Sequence, residues 1–407
     1  MRQRLTVKAA FVLSLLVAGE SLAGQQKLVA SDGQAEDQFG YSVAIDGRTA
    51  LVGAFRADEG EIQDSGSAYV YTLDSEGWRF EAKLVAGAPL EGDTLGGNLA
   101  LKNDTAVLGV IGRDDVAENA GAVLVFERES GKWYEKQWLM AADAKKGDSF
   151  GQSIALTDNT LVIGAPRSDA SAVDSGSAYV YQRMNNQWQF QAKLTASDGA
   201  EGDLFGISAT IDGNTILVGA DLNDEKAEKA GAVYAFVYDG TQWYQQAKLM
   251  AEDGGAVDIF GVRVSLSGDT ALISARRDDV EGVGVDAGSA YIFERSKGQW
   301  SQTQKLLAPD GKADDRFGRG VALKGNTAII SAMHNDEKDN NAGALYVYKK
   351  VAGDWAYSSK ILAVDGMAGD RLGWNVALSE GHAIIASPNR ADNGKNSGAV
   401  YIQRLVK

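Results

Sequence analysis

Short runs of alternating polar and apolar residues recur along the chain, and the third of seven similar units shows them clearly. In that unit Ser153 to Leu156 alternates small and large residues, and Thr160 to Ala165 forms a second run that ends in Gly-Ala-Pro. A third run, 175–181, is rich in aromatic and β-branched residues, and a fourth begins near Trp188. A period of two with this composition is typical of strands. Each unit therefore predicts four short antiparallel strands, with no helix between them.

A Phe-Gly or Leu-Gly pair marks the same point in every unit. The pairs are Phe39-Gly40, Leu95-Gly96, Phe150-Gly151, Phe205-Gly206, Phe260-Gly261, Phe317-Gly318 and Leu372-Gly373. The steps between them are 56, 55, 55, 55, 57 and 55 residues, so seven units account for nearly all of residues 24–407. Four antiparallel strands repeated at a fixed period predict an all-β fold, a seven-bladed β-propeller.

The two ends of the chain predict how the ring closes. A Trp opens the fourth strand of only six units, at Trp78, Trp133, Trp188, Trp243, Trp300 and Trp355. The seventh unit stops after its third strand, at 400–402, while Lys27-Leu28 precedes the first Phe-Gly pair. We therefore expect the N-terminal strand to complete the last blade, because closure removes open sheet edges. An open solenoid would leave both part-blades unpaired.

The Phe-Gly pair followed by Gly-Ala-Pro, as in Phe150-Gly151 and Gly164-Ala165-Pro166, resembles the FG-GAP repeat of integrin α-subunit propellers and their bacterial relatives. The resemblance covers essentially all of residues 24–407, although Leu replaces Phe twice and Ser replaces Gly at Ser274 and Ser331. It implies calcium in an Asp-rich loop between the first two strands of a blade. Here that loop has shrunk to a turn of two or three residues, which leaves too few oxygens for a cation that takes six to eight. Calcium stays open as a cofactor elsewhere.

The N-terminus predicts export. Arg2, Arg4 and Lys8 precede an apolar run over 9–19, and Ser21-Leu22-Ala23 supplies the small residues of a cleavage site. This order is typical of a signal peptide, residues 1–23, ahead of one propeller domain, residues 24–407. The run is too short to span a membrane. The chain has no cysteine, so it offers neither a lipid-anchor cysteine nor a disulfide. We expect a secreted or periplasmic monomer.

The net charge of the chain limits the classes of binding partner that we expect. The formal net charge is −15, and removal of residues 1–23 leaves −17 because three positive charges and one negative charge are lost. This balance argues against a nucleic-acid groove or an anionic membrane surface. It fits a cationic partner or a metal ion.

All variation in unit length falls in the loops between the second and third strands, and these loops are acidic. Nineteen or twenty residues after each Phe or Leu come Asp58, Asp114, Asp169, Asp224, Asp279, Asp336 and Asp392. A ring of carboxylates could bind metal ions, but turn chemistry is the favoured interpretation, since an Asp side chain often bonds the backbone N–H two residues on. A second series lies two residues before each pair, from Asp37 to Asp370, and turn chemistry is the favoured interpretation there.

One position varies in an otherwise regular repeat and is the candidate ligand site. The residue after each Phe/Leu-Gly pair is Tyr41, Gly97, Gln152, Ile207, Val262, Arg319 or Trp374. Of these, Tyr41, Gln152, Arg319 and Trp374 are the predicted ligand-binding residues. The Phe of each pair and the repeated Trp are expected to pack between blades, with the Gly allowing close approach.

The sequence contains little evidence of a catalytic site. The chain has two histidines, His334 and His382, which are expected on opposite faces, and no Ser-His-Asp signature recurs. We therefore expect non-catalytic recognition of a protein or glycan through an acidic loop face. A sugar-binding lectin is one alternative, and a carbohydrate-active hydrolase or lyase that uses loop carboxylates is another.

Overall fold

The computed structural model describes residues 24–405, in which every regular element is a β-strand. The predicted signal peptide, residues 1–23, lies outside the described residues. The strands are β1 (Gln25–Leu28), β2 (Val43–Asp46), β3 (Thr49–Ala54), β4 (Ser67–Leu73), β5 (Trp78–Leu84), β6 (Leu99–Lys102), β7 (Thr105–Val110), β8 (Ala122–Glu129), β9 (Lys132–Leu139), β10 (Ser153–Leu156), β11 (Thr160–Ala165), β12 (Ser177–Met184), β13 (Gln187–Leu194), β14 (Ser208–Asp212), β15 (Thr215–Ala220), β16 (Ala232–Tyr238), β17 (Trp243–Leu249), β18 (Val264–Ser267), β19 (Thr270–Ala275), β20 (Ser289–Ser296), β21 (Gln299–Leu306), β22 (Phe317–Lys324), β23 (Thr327–Ala332), β24 (Ala344–Val351), β25 (Asp354–Ile361), β26 (Val376–Ser379), β27 (His382–Ser387) and β28 (Ala399–Arg404).

These strands form seven antiparallel four-stranded sheets, which confirms the predicted propeller. Six blades are consecutive in sequence, from the first (β2 to β5) to the sixth (β22 to β25). The first strand of each blade contacts the first strands of its two neighbours around the whole ring, so that these strands surround a central axis. The seventh blade has the order β1-β28-β27-β26, in which Gln25 pairs with Gln403 and Leu28 with Val400. The N-terminal strand thus closes the ring.

The apolar core lies between blades. One cluster joins Val107 and Val123 of the second blade to Phe150, Ile163 and Tyr179 of the third, and equivalent clusters recur around the ring. The Phe or Leu of each pair is fully buried in such a cluster. Phe150 meets Tyr179 edge-on, with ring centroids 5.3 Å apart. This confirms that the Phe is a wedge between blades.

The glycine after each Phe or Leu makes the close approach that the repeat predicted. Gly151 has φ +100, a backbone conformation that favours glycine, and an added Cβ would lie 2.8 Å from the carbonyl oxygen of Ala122. Its N–H donates to the carbonyl of Gly164, the last residue but one of the second strand of the same blade. The chain therefore turns here from the crossing loop into the innermost strand.

The connections separate onto two faces. Turns of two or three residues join the first two strands of every blade, such as 47–48 and 157–159, and this side is the hairpin face. The longer connections, such as 55–66 within a blade and 85–98 between blades, lie together on the opposite side, the loop face. Hydrogen bonds join neighbouring connections there, as where the N–H of Gly92 donates to the carbonyl of Gln63.

Candidate functional site

Three of the four predicted ligand residues meet at the loop face. The N–H of Tyr41 donates to the carbonyl of Gln38 across the Phe-Gly turn. Tyr41 of the first blade contacts Trp374 of the seventh, with ring centroids 5.6 Å apart. The guanidinium of Arg319 in the sixth blade lies 4.0 Å above the Trp374 ring. The structure therefore brings these three residues to one region, the axial mouth. Gln152 lines a cavity on the axis that the other three do not line.

An aromatic group occupies one side of this mouth. Phe55, which follows the second strand of the first blade, lies against Tyr41 with ring centroids 4.1 Å apart. Trp374, Tyr41 and Phe55 form a chain of partly exposed rings. Trp374 also packs against the core cluster between the seventh and first blades. Its indole thus serves both the mouth and the core, whereas the sequence predicted a residue that faces a ligand instead of the core.

Arginines occupy the other side, and the sequence interpretation missed two of them. Arg263 lies directly before the first strand of the fifth blade, and Arg276 lies directly after the second strand of that blade. Arg319 lies in the first strand of the sixth blade and is 8% exposed. Burial lowers the pKa of Arg319, and the charges of Arg263 and Arg276 lower it further. Burial and the charge of Arg263 likewise lower the pKa of Arg276 to about 10. Three cations therefore share one desolvated region at the centre of a face whose rim is acidic.

One carboxylate accompanies these arginines. Asp221 is 7% exposed, and its Oδ1 has no hydrogen-bond partner among the described residues. Burial raises the pKa of Asp221 to about 6, although the charges of Arg276 and Arg263 oppose the rise. Residues from three blades thus form this group. The repeat carried a signal for it, since Phe55, Asp221 and Arg276 occupy the same position after the second strand in their blades.

The carboxylates predicted as metal ligands stand apart, one in each blade. Six of them accept a hydrogen bond from a backbone N–H later in their own loop, as Asp169 does from Asp174 at 3.1 Å. The same bond is made by Asp58, Asp114, Asp224, Asp279 and Asp336. Asp392 instead accepts from Arg390. Within residues 24–405, no three His, Asp or Glu residues are grouped so that they could hold a metal. Metal binding by this series stays a prediction.

The Asp two residues before each Phe or Leu braces its loop, as the favoured interpretation held. All seven are buried. The geometry differs from the prediction in one respect, because the carboxylate accepts the N–H three residues earlier, as Asp148 does from Lys145 at 2.8 Å, and not the one two residues later. Burial raises the pKa of Asp148, while the bond from Lys145 opposes the rise.

A further Asp five residues earlier belongs to a repeated Asp-Tyr-Lys group. Asp198 accepts hydrogen bonds from Tyr234 Oη at 2.9 Å and from Lys248 Nζ at 2.6 Å. Burial alone would raise the pKa of Asp198, but the bonds from Lys248 and Tyr234 lower it below its usual value. Equivalent groups in five of the other blades are Asp32-Tyr69-Lys83, Asp143-Tyr179-Lys193, Asp253-Tyr291-Lys305, Asp310-Tyr346-Lys360 and Asp365-Tyr401-Lys27. These carboxylates hold crossing loops to blades and are not free for a ligand.

The remaining candidates are structural or isolated. Trp78, Trp188 and Trp355 are buried, and each donates its backbone N–H to a glutamine of the neighbouring blade. His334 lies on the loop face, whereas His382 begins β27 on the hairpin face. The two histidines are thus at opposite ends of the propeller, as expected.

Comparison with known families agrees with this geometry. The FG-GAP repeat model matches seven segments, 23–71, 78–126, 133–181, 188–236, 243–293, 300–348 and 355–403. The chain belongs to the FG-GAP repeat family. Each FG-GAP segment begins at an outermost strand and ends in the third strand of the next blade, so the first segment contains β1 and the last contains β28. No curated protein matches the chain. In the part of the chain that the structure describes, no helix is long and apolar enough to cross a membrane.

Proposed function

We propose that this FG-GAP propeller is an exported, non-catalytic recognition protein that binds a glycan at the axial mouth of its loop face. The observation that carries the proposal is the chain of Trp374, Tyr41 and Phe55, whose rings lie on the axis and remain partly exposed. Aromatic faces stack on the apolar faces of sugar rings, and a polar tip such as the Tyr hydroxyl can bond to sugar hydroxyls. The FG-GAP propeller family is generally non-enzymatic.

Apart from Trp374, which also packs against the core, the residues at the mouth are free to vary because other residues support the fold. The buried Phe and Leu wedges, the Asp braces and the Asp-Tyr-Lys groups carry the packing between and within blades. A sugar bound at the axis would meet side chains from several blades at once, and such concave, multi-element sites are where ligands usually bind. Export rests on the predicted signal peptide, residues 1–23.

A glycan array with two matched variants tests the proposal. Phe55→Ala removes a ring at the mouth, and Phe80→Ala removes a ring of the same blade that is 53% exposed on the outermost strand. Loss of one aromatic contact of about 0.5–1.5 kcal/mol weakens binding by up to about tenfold. We expect Phe55→Ala to lose affinity and Phe80→Ala to keep it.

Two results would count against this function. Absence of binding to any saccharide would refute the glycan assignment, and an equal loss in both variants would remove the mouth as its site. Mass analysis of the arrayed saccharides after incubation separates recognition from the hydrolase or lyase alternative, because an enzyme would release shorter products.

A further inference from the structure

Of the three arginines at the axis, Arg319 is buried and Arg263 and Arg276 are half-buried, and none has the carboxylate partner that such charges usually have. Arg113 and Arg390, which are buried elsewhere in the ring, each bond a buried Asp, at 2.9 and 2.8 Å. Neither Arg263, Arg276 nor Arg319 lies within 4.0 Å of a carboxylate oxygen of residues 24–405, and Arg276 Nε is buried without a hydrogen-bond partner there. Burying a charge without a partner is costly. An acidic chain that concentrates such charges at one point therefore suggests a binding site.

Arg263 also replaces a residue that has a structural task in other blades. At the same repeat position Ser42, Ser153 and Ser208 donate their hydroxyls to the Phe/Leu-Gly glycine carbonyl of the next blade, at 2.6 to 2.8 Å. In the sixth blade the position is Gly320, and Ser331 makes the equivalent bond to Gly373 at 2.6 Å. In the fifth blade Arg263 takes the place of the serine, and its Nη1 bonds only the adjacent carbonyl of Val262 at 3.0 Å. The Arg263 guanidinium therefore makes no hydrogen bond to a neighbouring blade among the described residues.

The cavity beside Arg263 has the lining that an anion requires. It has a volume of about 170 Å³ on the axis, and its polar side chains include Arg263, Gln152, Asn98 and Asn375. No carboxylate lines it. Within the described residues, the three amide side chains make no hydrogen bond to protein, so their N–H groups are available as donors. A single water needs only about 10–15 Å³ of such space, so the cavity has room for several waters or for one compact polyatomic anion.

The aromatic rings add to the effect of these donors. Trp374 covers the Arg319 guanidinium at 4.0 Å and leaves that residue 8% exposed. Electrostatic attraction is stronger in such a desolvated region than in water. Guanidinium groups also offer paired N–H donors that match the oxygens of carboxylate, sulfate and phosphate.

We infer that the axial cavity is an oxyanion site, in which Arg263 binds a carboxylate, sulfate or phosphate group, Asn98, Asn375 and Gln152 complete its hydrogen bonds, and the nearby charge of Arg319 adds to the attraction. This site goes beyond the proposed glycan recognition, because it would bind a free ion whether or not a saccharide docks on the aromatic rings. The group can be an inorganic ion or the acidic substituent of a larger ligand.

Calorimetric titration of the full chain with sodium sulfate, against chloride at equal ionic strength, tests the site. We expect saturable sulfate binding, weakened at least tenfold in Arg263→Ser, weakened less in Arg319→Gln, which does not line the cavity, and unchanged in Arg79→Ser, whose side chain is 54% exposed on the outer strand of the first blade. Asp221→Asn should tighten binding, since it removes the nearby negative charge. Absence of sulfate, phosphate and acetate binding in the unaltered protein would overturn the inference, as would unchanged affinity in both arginine variants.

Thermal unfolding keeps the inference testable if binding is too weak for calorimetry. Without added anion, Arg263→Ser and Arg319→Gln should melt at or above the temperature of the unaltered protein, because each removes a charge that has no carboxylate partner, half-buried at Arg263 and buried at Arg319. Sulfate should raise the melting temperature of the unaltered protein, should not raise that of Arg263→Ser, and should raise that of Arg319→Gln by less. Lower melting temperatures with an undiminished sulfate response would show purely structural arginines. Comparison of glucuronate with acetate distinguishes an acidic saccharide from a free ion as the natural ligand. Tighter binding of glucuronate indicates an acidic saccharide, and equal binding of the two indicates a free ion. Both results support the site.

Discussion

The buried Phe that packs between blades allows a quantitative prediction of its contribution to the free energy of unfolding. Phe150 is fully buried between the second and third blades and meets Tyr179 edge-on at 5.3 Å and Tyr181 at 6.4 Å. Replacement of a buried Phe by Ala costs about 3–5 kcal/mol, since transfer free energy is lost and a cavity remains. We expect Phe150→Ala to lower the free energy of unfolding by that amount.

Phe190 is the matched control in the same blade. Its ring is 59% exposed on the outermost strand and meets Tyr181 edge-on at 6.0 Å. Only part of its surface and two aromatic contacts, to Tyr181 and to Tyr179 at 6.5 Å, are lost on substitution, so Phe190→Ala should cost about 1–2 kcal/mol. Equilibrium urea unfolding measures both costs from the shift in midpoint at constant m-value. A cost for Phe150→Ala below about 1 kcal/mol, or no greater than that for Phe190→Ala, would refute the wedge.

Three further predictions concern the turn glycine, the Asp-Tyr-Lys group and the buried carboxylate at the axis. Gly151→Ala should cost about 1–3 kcal/mol more in urea unfolding than Gly147→Ala, because both glycines have positive φ but only the first would bring a Cβ to 2.8 Å from a carbonyl oxygen; equal costs would contradict this. Tyr234→Phe should lose about 1–2 kcal/mol with its bond to Asp198, whereas Tyr244→Phe, whose ring is 43% exposed, should change little; a reversed order would argue against the group. The raised pKa of Asp221, about 6 in the folded state against about 3.9 when unfolded, gives stability that is present below about pH 4 and is lost as the pH rises through 6. Asp221→Asn should therefore gain up to about 3 kcal/mol relative to the unaltered protein between pH 4 and pH 7, and parallel pH profiles would refute the assignment.

The sequence predicted the architecture because the features that specify a blade are local and recur seven times. All of these features lie within one unit: a buried Phe such as Phe150, a turn glycine such as Gly151, and a strand pair joined by a short turn. Because the unit recurs seven times, the pattern stays recognisable although Leu95 and Leu372 replace Phe in two copies. The missing fourth strand of the last unit left β1 as its only complement, and Lys27 indeed completes the Asp-Tyr-Lys group with Asp365 and Tyr401.

The axial arginines could not be recognised in the same way. Arg263 and Arg276 lie on different strands of one blade, while Asp221 and Arg319 belong to its two neighbours, and only the closed ring brings them together. The single variable position that the sequence identified, after each Phe/Leu-Gly pair, contains Arg319 and Trp374 but neither Arg263 nor Arg276. A face that is acidic by composition thus has a basic centre.

The second blade departs from the repeated Asp-Tyr-Lys group. In the second blade the group of Asp, Tyr and Lys is replaced at all three positions, by Ala88, Leu124 and Trp138. Arg113 there lies 4.7 Å above the Trp138 ring and bonds Asp93, so that a different contact holds the same loop. Substitution of the whole group together is the behaviour of residues that act as one structural unit.

The residues of the axial mouth come together only because the ring closes. Formation of a disulfide between the two strands that close it tests this closure directly. Gln25 of β1 and Gln403 of β28 are paired across the last blade, with Nε2 and Oε1 3.4 Å apart, and the chain has no cysteine of its own. Paired antiparallel positions lie within the Cα separation that a disulfide accepts. With Gln25→Cys and Gln403→Cys combined, mild oxidation should give an intramolecular disulfide that raises the free energy of unfolding by about 4 kcal/mol, while neither single variant changes on oxidation. Two thiols that stay free, or that link only separate molecules, would contradict the closed ring.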